Sequence, residues 1–275
     1  MSGHGEHIRS RGSSPALAPD KTGLPPLLVA ALAAKIAAAA AWAWSAHRLG
    51  AALFVAPDPF LFWAVVAPRA QGLVRTATHF ATDRREIWLT IDDGPDPHDT
   101  PKILDLLDRH RAKATFFVIG ERAARHPELV REIVRRGHEV AHHTHTHPRF
   151  TFWCAGPGRL AAELDRGLAA LRPAGVRPRW FRPPVGIKPF LLAPALGARD
   201  LRCVGWTVRS GDCHATSAGA LAARVAPRLR SGAILLLHEG PGVPPTVRVT
   251  GAARVLAACA ELGYACVIPH ADQLR

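Results

Sequence analysis

The sequence predicts an α/β protein: a distorted, incomplete (β/α) barrel of parallel strands, preceded by an N-terminal hydrophobic helical segment. From residue 86 onward, apolar strand-like runs alternate with amphipathic helix-like runs. Strand runs such as 113–120 and 232–239 are almost continuously apolar, which is typical of parallel strands covered on both faces. Six or seven such units in about 190 residues suffice for a nearly closed barrel.

Composition excludes several classes of protein. The chain has 275 residues, of which 48% are hydrophobic and 21% charged, so most of it is predicted to fold. The formal charge of +13 comes mainly from arginines that are spread along the chain, so we expect no nucleic-acid binding. The five cysteines are odd in number and form no CxxC pair, which argues against a disulfide framework or a thiolate zinc site.

The N-terminal region divides into a polar and an apolar part. Residues 1–22 are polar and are predicted to form a disordered tail. Residues 24–46 contain Lys35 as their only charge and two tryptophans near their end, a pattern that fits a transmembrane helix. We therefore interpret residues 23–80 as a hydrophobic membrane-anchor or helical segment, placed in a bacterial-type inner membrane.

A second apolar stretch, residues 50–67, is interrupted by Pro57, Asp58 and Pro59. It fits a short second span, a re-entrant piece or an interfacial helix. The competing interpretations of the apolar region are a signal peptide, which the long polar lead disfavours, and a soluble helical cap. If both stretches span, the positive-inside rule places both flanks in the cytoplasm; if only the first does, the C-terminal domain faces outward.

Residues 84–275 are predicted to form the catalytic domain. Strands are predicted at residues 86–91, 113–120, 138–143, 179–182, 201–208, 232–239 and 264–269. Helices are predicted at residues 101–111, 126–137, 157–172, 217–230 and 247–262. Thr100 and Pro101 resemble an N-cap and N1 pair, and Gly137 is suited to end the second helix.

Residues that carry chemistry cluster where the predicted strands end. Asp92 and Asp93 follow the first strand, the run HHTHTHP (142–148) the third, Arg182 the fourth, and His238 a later one. Since the carboxyl ends of parallel barrel strands share one face, these residues are expected to converge.

The histidine run contains a candidate pair of metal ligands. On a helical turn His143 and His147 would lie about 5–6 Å apart at Cβ, whereas on a strand they would be about 13 Å apart. A metal site therefore predicts that the chain turns just after His143, with which Pro148 is compatible. The alternative is a polar, histidine-rich loop.

Asp92 and Asp93 are adjacent carboxylates that strand alternation would point to different sides. One could ligate a metal while the other acts as a base. The alternative is an Asx-type turn before Gly94 and Pro95.

Four motifs occur in order along the chain: LTIDDGPDP, KATFFVIGERAARHPELVREIVRRGHEVAHHTHTHP, FRPPVG and ILLLHEG. Together they resemble the polysaccharide deacetylase family, the family-four carbohydrate esterases with a nodulation-type (NodB) homology domain. The resemblance covers about residues 86–270. It implies a metal-dependent hydrolase that removes an N-linked acyl group, expected to be acetyl, from a sugar, glycan or glycolipid.

The resemblance also implies roles for individual residues. It makes Asp92 the general base, Arg182 its partner and His238 the general acid. It implies one divalent ion, Zn²⁺ or alternatively Co²⁺ or another ion, with the ligands Asp93, His143 and His147. The expected substrate-binding residues are Pro184, Leu236 and Trp206, of which Leu236 would wall the acyl pocket.

The residues that differ from the family pattern lie among those expected to surround the substrate. Val185 stands where an aromatic residue is common, Arg209 where the first aspartate of the fourth motif is usual, and Cys213 where tryptophan is usual. Asp212 is then the carboxylate left to orient His238, and Glu239 replaces an aspartate.

These departures leave two alternatives to a deacetylase of N-acetylated saccharides or lipid-linked sugars. One is a membrane-tethered, catalytically inactive carbohydrate- or lipid-binding module. The other is a deformylase or deacylase of a lipid-linked amide.

Overall fold

The chain after the N-terminal helices is built on one curved sheet of parallel strands. A computed structural model describes residues 23–275, so the predicted tail of residues 1–22 lies outside the described residues. The strands are β1 (Thr76–Ala77), β2 (Glu86–Asp92), β3 (Ala114–Val118), β4 (Glu139–His142), β5 (Trp180–Phe181), β6 (Arg202–Val204), β7 (Val208–Arg209), β8 (Ala233–His238) and β9 (Ala265–Cys266).

The strand order is β1-β6-β5-β4-β3-β2-β8-β7, with β9 paired to β2, and every ladder is parallel. Within the described part of the chain no ladder joins the two end strands, β1 and β7. The predicted incomplete barrel of parallel strands is therefore confirmed.

Helices cover the outside of this sheet and precede it. They are α1 (Pro26–Ala43), α2 (His47–Val55), α3 (Asp58–Val66), α4 (Thr100–Arg109), α5 (Gly120–Arg125), α6 (Pro127–Arg135), α7 (Pro157–Leu171), α8 (Leu192–Gly197), α9 (Ala218–Val225) and α10 (Arg248–Glu261).

Alternation along the strands separates an outer from an inner core. Ile87, Leu89 and Ile91 of β2 belong to the outer cluster, which includes buried leucines of α4 and α10. Trp88, on the opposite face of β2, packs in a second, aromatic-rich cluster with Trp180 and Trp206. Polar side chains at the inner positions of the strand ends are therefore directed toward the mouth of the barrel.

Several predicted elements differ from those observed. The predicted strand 201–208 is two short strands, β6 and β7; β7 is an end strand of the sheet, and β6 is second from the other end. The helices α5 and α8 and the strand β1 were not predicted. Helix α4 begins at Thr100 with Asp99 as its N-cap, so the expected N-cap role of Thr100 was wrong.

The apolar N-terminal region forms three helices. The second stretch, 50–67, is not one element but α2 and α3, which meet near Pro57. Two segments, Pro26–Ala43 and His47–Val66, are long and apolar enough to cross a membrane by length and composition, a test that signal sequences and core helices also pass. Lys35, the single charge of α1, binds Asp58 of α3 at 2.8 Å.

The linker after α3 is fixed to the barrel. The buried ammonium group of Lys188 donates hydrogen bonds to the carbonyl oxygens of Ala67, Pro68 and Ala70 at 2.8–3.0 Å. Arg69 donates to the carbonyl oxygen of Trp206 at 3.2 Å. These contacts give α3 a defined position beside the barrel.

Candidate active site

The side chains of Asp92 and Asp93 face the same cavity. Asp92 ends β2, whereas Asp93 has a left-handed φ of 71°. Asp92 Oδ2 lies 3.7 Å, and Asp93 Oδ1 3.5 Å, from Nε2 of His143. The expectation that the two carboxylates point to different sides was therefore wrong, because the strand geometry that imposes alternation ends before Asp93.

Arg122 and Glu239, which the sequence analysis did not assign to catalysis, contact the loop of Asp93 and Gly94. Arg122 donates to the carbonyl oxygen of Asp93 at 2.6 Å. A side chain at Gly94 would meet Oε1 of Glu239 at 1.8 Å, so any residue other than glycine there would displace the Glu239 carboxyl group. Burial raises the pKa of Glu239 to about 8, and Thr100 donates its hydroxyl hydrogen to Glu239 Oε2 at 2.6 Å. The buried side chain of Glu239 thus packs against the loop at Gly94.

The histidine run turns just after His143, as predicted, but without forming a helix. Thr144 and His147 both have left-handed φ angles, 64° and 55°. The rings of His143 and His147 are 4.8 Å apart between centroids, and His147 Nε2 lies 3.3 Å from Asp93 Oδ1. Left-handed conformations are costly for residues other than glycine and persist where surrounding contacts enforce them.

Glu163 of α7 supplies those contacts. Its Oε2 accepts hydrogen bonds from the backbone N–H groups of His145 and Thr146, both at 2.9 Å, and its Oε1 from the Thr146 hydroxyl at 2.6 Å. The sequence analysis missed this residue. The signal was available, since Glu163 is a charged residue beside Leu160 and Leu164 on the buried stripe of a predicted helix.

The other histidines of the run lie outside the cavity. The ring of His142 is enclosed between the carbonyl oxygen of Leu164 and the backbone N–H of Thr144, each 2.9 Å from one ring nitrogen. His145 is buried against Gly120. Of the four histidines in the run, His143 and His147 are therefore the two that line the cavity.

Asp93, His143 and His147 form a candidate metal site. Their ligand atoms lie within 4.8 Å of one another. Nδ1 of His143 is 2.7 Å from the carbonyl oxygen of Arg182, which requires the hydrogen on Nδ1 and leaves the Nε2 lone pair free. Asp93 Oδ1 is buried and has no hydrogen-bond partner among the described residues. Two imidazole nitrogens and one carboxylate oxygen fit a divalent ion such as zinc.

The charge on Asp93 suits this role. Burial by itself would raise the pKa of its carboxyl, but the adjacent imidazole of His143, together with those of His147 and His238, outweighs burial and brings that pKa well below its ordinary value. Burial is also the main reason that the pKa of His147 falls to about 3. Both groups are therefore in the deprotonated form that binds a metal.

Arg182 fixes Asp92. Its guanidinium is fully buried and lies 2.6 Å from Asp92 Oδ1. It also donates to Thr90 Oγ1 at 2.9 Å and to the carbonyl oxygens of Val204 and Gly205 at 3.2 and 2.7 Å. The other carboxylate oxygen of Asp92 remains directed toward the histidines.

His238 lies beside Asp92 and is paired with Asp212. The ladder between β2 and β8 aligns the two residues as register partners. Asp212 Oδ1 is 2.8 Å from His238 Nδ1, and its Oδ2 accepts the backbone N–H of His238 at 2.6 Å. Burial alone would lower the pKa of His238, but the charge of Asp212 outweighs it and raises that pKa well above 6.5. The geometry thus brings Asp212 to the residue that it was predicted to orient.

Two carboxylates and three imidazoles line one cavity of about 190 Å³: those of Asp92, Asp93, His143, His147 and His238. Trp206 and Leu236, both predicted to bind substrate, line it. Pro184, the third such residue, is buried and is not among the described lining residues, whereas its neighbour Val185 is. Arg209 and Cys213, which stand at the substituted positions of the fourth motif, also line the cavity. So do Arg149 and His214, which the sequence analysis did not select.

Comparisons with known proteins agree with this architecture. The polysaccharide deacetylase family model matches residues 80–198. A chitooligosaccharide deacetylase of Bradyrhizobium sp. (strain ANU 289) is 40% identical over 158 residues, which are 57% of this chain and 71% of that protein. A peptidoglycan-N-acetylglucosamine deacetylase of Bacillus cereus is 34% identical over 161 residues, 58% of each chain.

Solved structures give the same result. A family 4 carbohydrate esterase from Streptomyces lividans, in complex with acetate, has 30% sequence identity and a TM-score of 0.62, with 70% of this chain and 96% of that chain covered. The chain belongs to the polysaccharide deacetylase family. The resemblance seen in the sequence motifs is thereby confirmed.

Proposed function

We propose that the protein is a metal-dependent hydrolase that removes the acetyl group from the nitrogen of an N-acetylated amino sugar in a glycan or glycolipid. The observation that carries this proposal is the convergence of Asp92, Asp93, His143, His147 and His238 on one cavity. Relatives that act on chitooligosaccharide and on peptidoglycan N-acetylglucosamine support the amide of an N-acetyl sugar as the target.

Asp93, His143 and His147 would hold one divalent ion, which supplies Lewis-acid polarisation of the acyl oxygen and lowers the pKa of water. Asp92 accepts a proton from the attacking water through Oδ2, because Arg182 occupies Oδ1. The four oxygen acceptors around the Arg182 guanidinium keep this arrangement rigid.

His238 supplies the second proton transfer. Asp212 occupies its Nδ1, so Nε2 is the nitrogen left to donate a proton. That proton goes to the amide nitrogen as the C–N bond breaks, and the products are acetate and a free amine. Asp212 keeps His238 protonated for this step by raising its pKa.

We also propose that the N-terminal helices anchor the protein in a membrane. Large apolar side chains on these helices are exposed, including Ile36 (64%) and Trp63 (57%). A soluble cap packed on the barrel would bury such residues. Lys35 and Asp58 neutralise each other across α1 and α3, which lowers the cost of placing either in lipid. Retention of the full-length chain in membranes after carbonate extraction would support the anchor, and release by alkali would contradict it.

The test of the proposed function is release of acetate from N-acetylglucosamine oligomers by metal-loaded protein, with bound metal measured by elemental analysis. Acetate release at a rate that depends on bound metal is expected. The altered wall at Arg209 and Cys213 keeps the inactive binding module as the second candidate. That candidate predicts no metal affinity and no turnover. Formate release from an N-formyl sugar, without acetate release from its N-acetyl counterpart, would instead indicate a deformylase.

A further inference from the structure

The mouth of the active-site cavity is positively charged. Arg149, from the loop after β4, and Arg209, from β7, both line the cavity and are exposed. Among residues 23–275, neither guanidinium has a carboxylate within ion-pair distance. The carboxylates of Asp92 and Asp212, in contrast, are buried and bound by other side chains. Arginine pairs of this kind suit a phosphate group, whose oxygens accept paired N–H donors.

A second, apolar groove has a volume of about 430 Å³. Phe62 and Val66 of α3 form one wall, and Trp153, Ile187 and Phe190 of the catalytic region form the other. Phe62 is 69% exposed and Trp153 50%. This size falls within the range of about 300–1,000 Å³ typical of ligand pockets.

The groove and the cavity share two loops. One carries Arg149 at the cavity and Trp153 at the groove; the other carries Val185 at the cavity and Ile187 at the groove. Val185 and Ile187 are two residues apart, so their Cα atoms lie within about 7 Å. The cavity and the groove are therefore neighbours at both of these loops.

The walls of the groove favour a hydrocarbon over a glycan. Asp58 is the only charged residue among the described lining residues, and Lys35 already binds its carboxylate. Sugar hydroxyls placed there would lose water without gaining hydrogen bonds. The hydrogen bonds of Lys188 to the linker after α3 hold the apolar wall in place.

We infer that the substrate is a lipid-linked sugar phosphate: its N-acetylated sugar enters the cavity, its phosphate pairs with Arg149 and Arg209, and its hydrocarbon chain lies in the groove between α3 and the loops of Trp153 and Phe190. This inference rests on the proposed deacetylase function and names the substrate class. It also gives the apolar helices a role in substrate binding.

Three probes test it with the full-length, metal-loaded protein: the dodecyl phosphodiester of N-acetylglucosamine, the methyl phosphodiester of the same sugar, and the uncharged dodecyl glycoside. The value of kcat/KM for acetate release should be at least about tenfold higher for the dodecyl phosphodiester than for either other probe, because each lacks one of the two contacts.

Matched variants separate the two contacts. Arg209→Gln should lower the ratio of kcat/KM for the charged over the uncharged dodecyl probe about tenfold, whereas Arg131→Gln, at an exposed position on α6, should not change it. Phe62→Ala should lower the preference for the dodecyl over the methyl phosphodiester. Phe60→Ala, also exposed on α3 but outside the groove, should not.

Equal kcat/KM values for the charged and uncharged probes, or for the long and short chains, would overturn the inference. So would equal effects of Phe62→Ala and Phe60→Ala on all probes, which would indicate that the groove contacts bilayer lipid or a second copy of the chain. Deacetylation of N-acetylglucosamine oligomers without these preferences would leave the proposed function standing and reject only the substrate class. No acetate release from any probe or oligomer would reject both.

Discussion

Arginines behind the floor and at the mouth of the cavity are in opposite situations. Arg182, behind Asp92, is fully buried and bound to Asp92 and three further oxygen atoms, whereas Arg149 and Arg209 at the mouth are exposed and have no carboxylate partner among the described residues. A buried charge must be paired because its desolvation is costly, so the floor is rigid before substrate arrives. The solvated charges at the mouth remain available to an incoming anion. In the proposed function, the buried groups carry out the reaction and the exposed arginines bind the substrate.

The largest effect is expected from removing a metal ligand at the floor. His143→Ala should lower metal affinity more than about 100-fold and abolish nearly all activity, because one of three protein ligands is lost. Elemental analysis and acetate release measure both effects. His110→Ala, at an exposed position after α4, is the control. Full metal content and activity in His143→Ala would place the metal elsewhere.

Substitution of the proton-transfer groups should separate metal binding from turnover. Asp92→Asn and His238→Ala should each retain the metal and lower kcat by about 10²–10⁴-fold, since the proton acceptor or donor is removed. Thermal unfolding is the control, because Asp92→Asn leaves the buried Arg182 charge unpaired. A folded, metal-loaded Asp92→Asn protein with normal kcat would contradict the assignment of the base.

A smaller effect on metal binding is expected at Glu163, which holds the histidine turn without touching the site. Glu163→Gln should weaken metal affinity by about 10–100-fold, because a group that positions ligands is altered, and excess metal should restore kcat. Glu128→Gln, at an exposed position on α6, is the matched control. Unchanged metal affinity would show that the turn is stable without the Glu163 carboxylate.

The pH profile tests the pairing of His238 with Asp212. In the proposed mechanism His238 acts in its protonated form. Because Asp212 raises the pKa of His238 well above 6.5, the alkaline limb of kcat/KM should lie above that value. Asp212→Asn removes the stabilising charge, and the alkaline limb should move to lower pH. Relative to the unsubstituted protein, Asp212→Asn should therefore lose more activity at pH values above its shifted alkaline limb than at lower pH. An unchanged alkaline limb would assign that limb to another group.

The smallest effect concerns the choice of acyl group. Leu236 lies on the inner face of β8 and lines the cavity. Leu236→Ala should raise the ratio of propionyl to acetyl release by up to about tenfold, because room is made for one methylene group. Competition between N-propionyl and N-acetyl glucosamine substrates measures this ratio. An unchanged ratio would show that Leu236 does not contact the acyl group.

The histidine turn shows how far sequence reasoning reached. The distance requirement on His143 and His147 correctly predicted a turn after His143, since it depends on local chain geometry. The distance requirement does not indicate Glu163, which holds the turn from 17 and 18 residues away; the only signal for it was a charged residue on the buried stripe of a predicted helix. Sequence periodicity also gave a wrong result at residues 201–208. The apolar run there predicts one strand, whereas the chain leaves β6 and enters β7 on the other side of the sheet.

The sequence by itself determined the parallel α/β architecture and the residues at the strand ends, because apolar periodicity and strand–helix alternation are local patterns. Only the tertiary structure decided which of those residues become partners. Asp92 meets Arg182 across 90 residues and is the register partner of His238 through the pairing of β2 with β8. It also decided that two arginines line one cavity and that two loops of this cavity contribute to an apolar groove as well. Such contacts depend on which strands and loops become neighbours, and that is settled by packing of the whole chain.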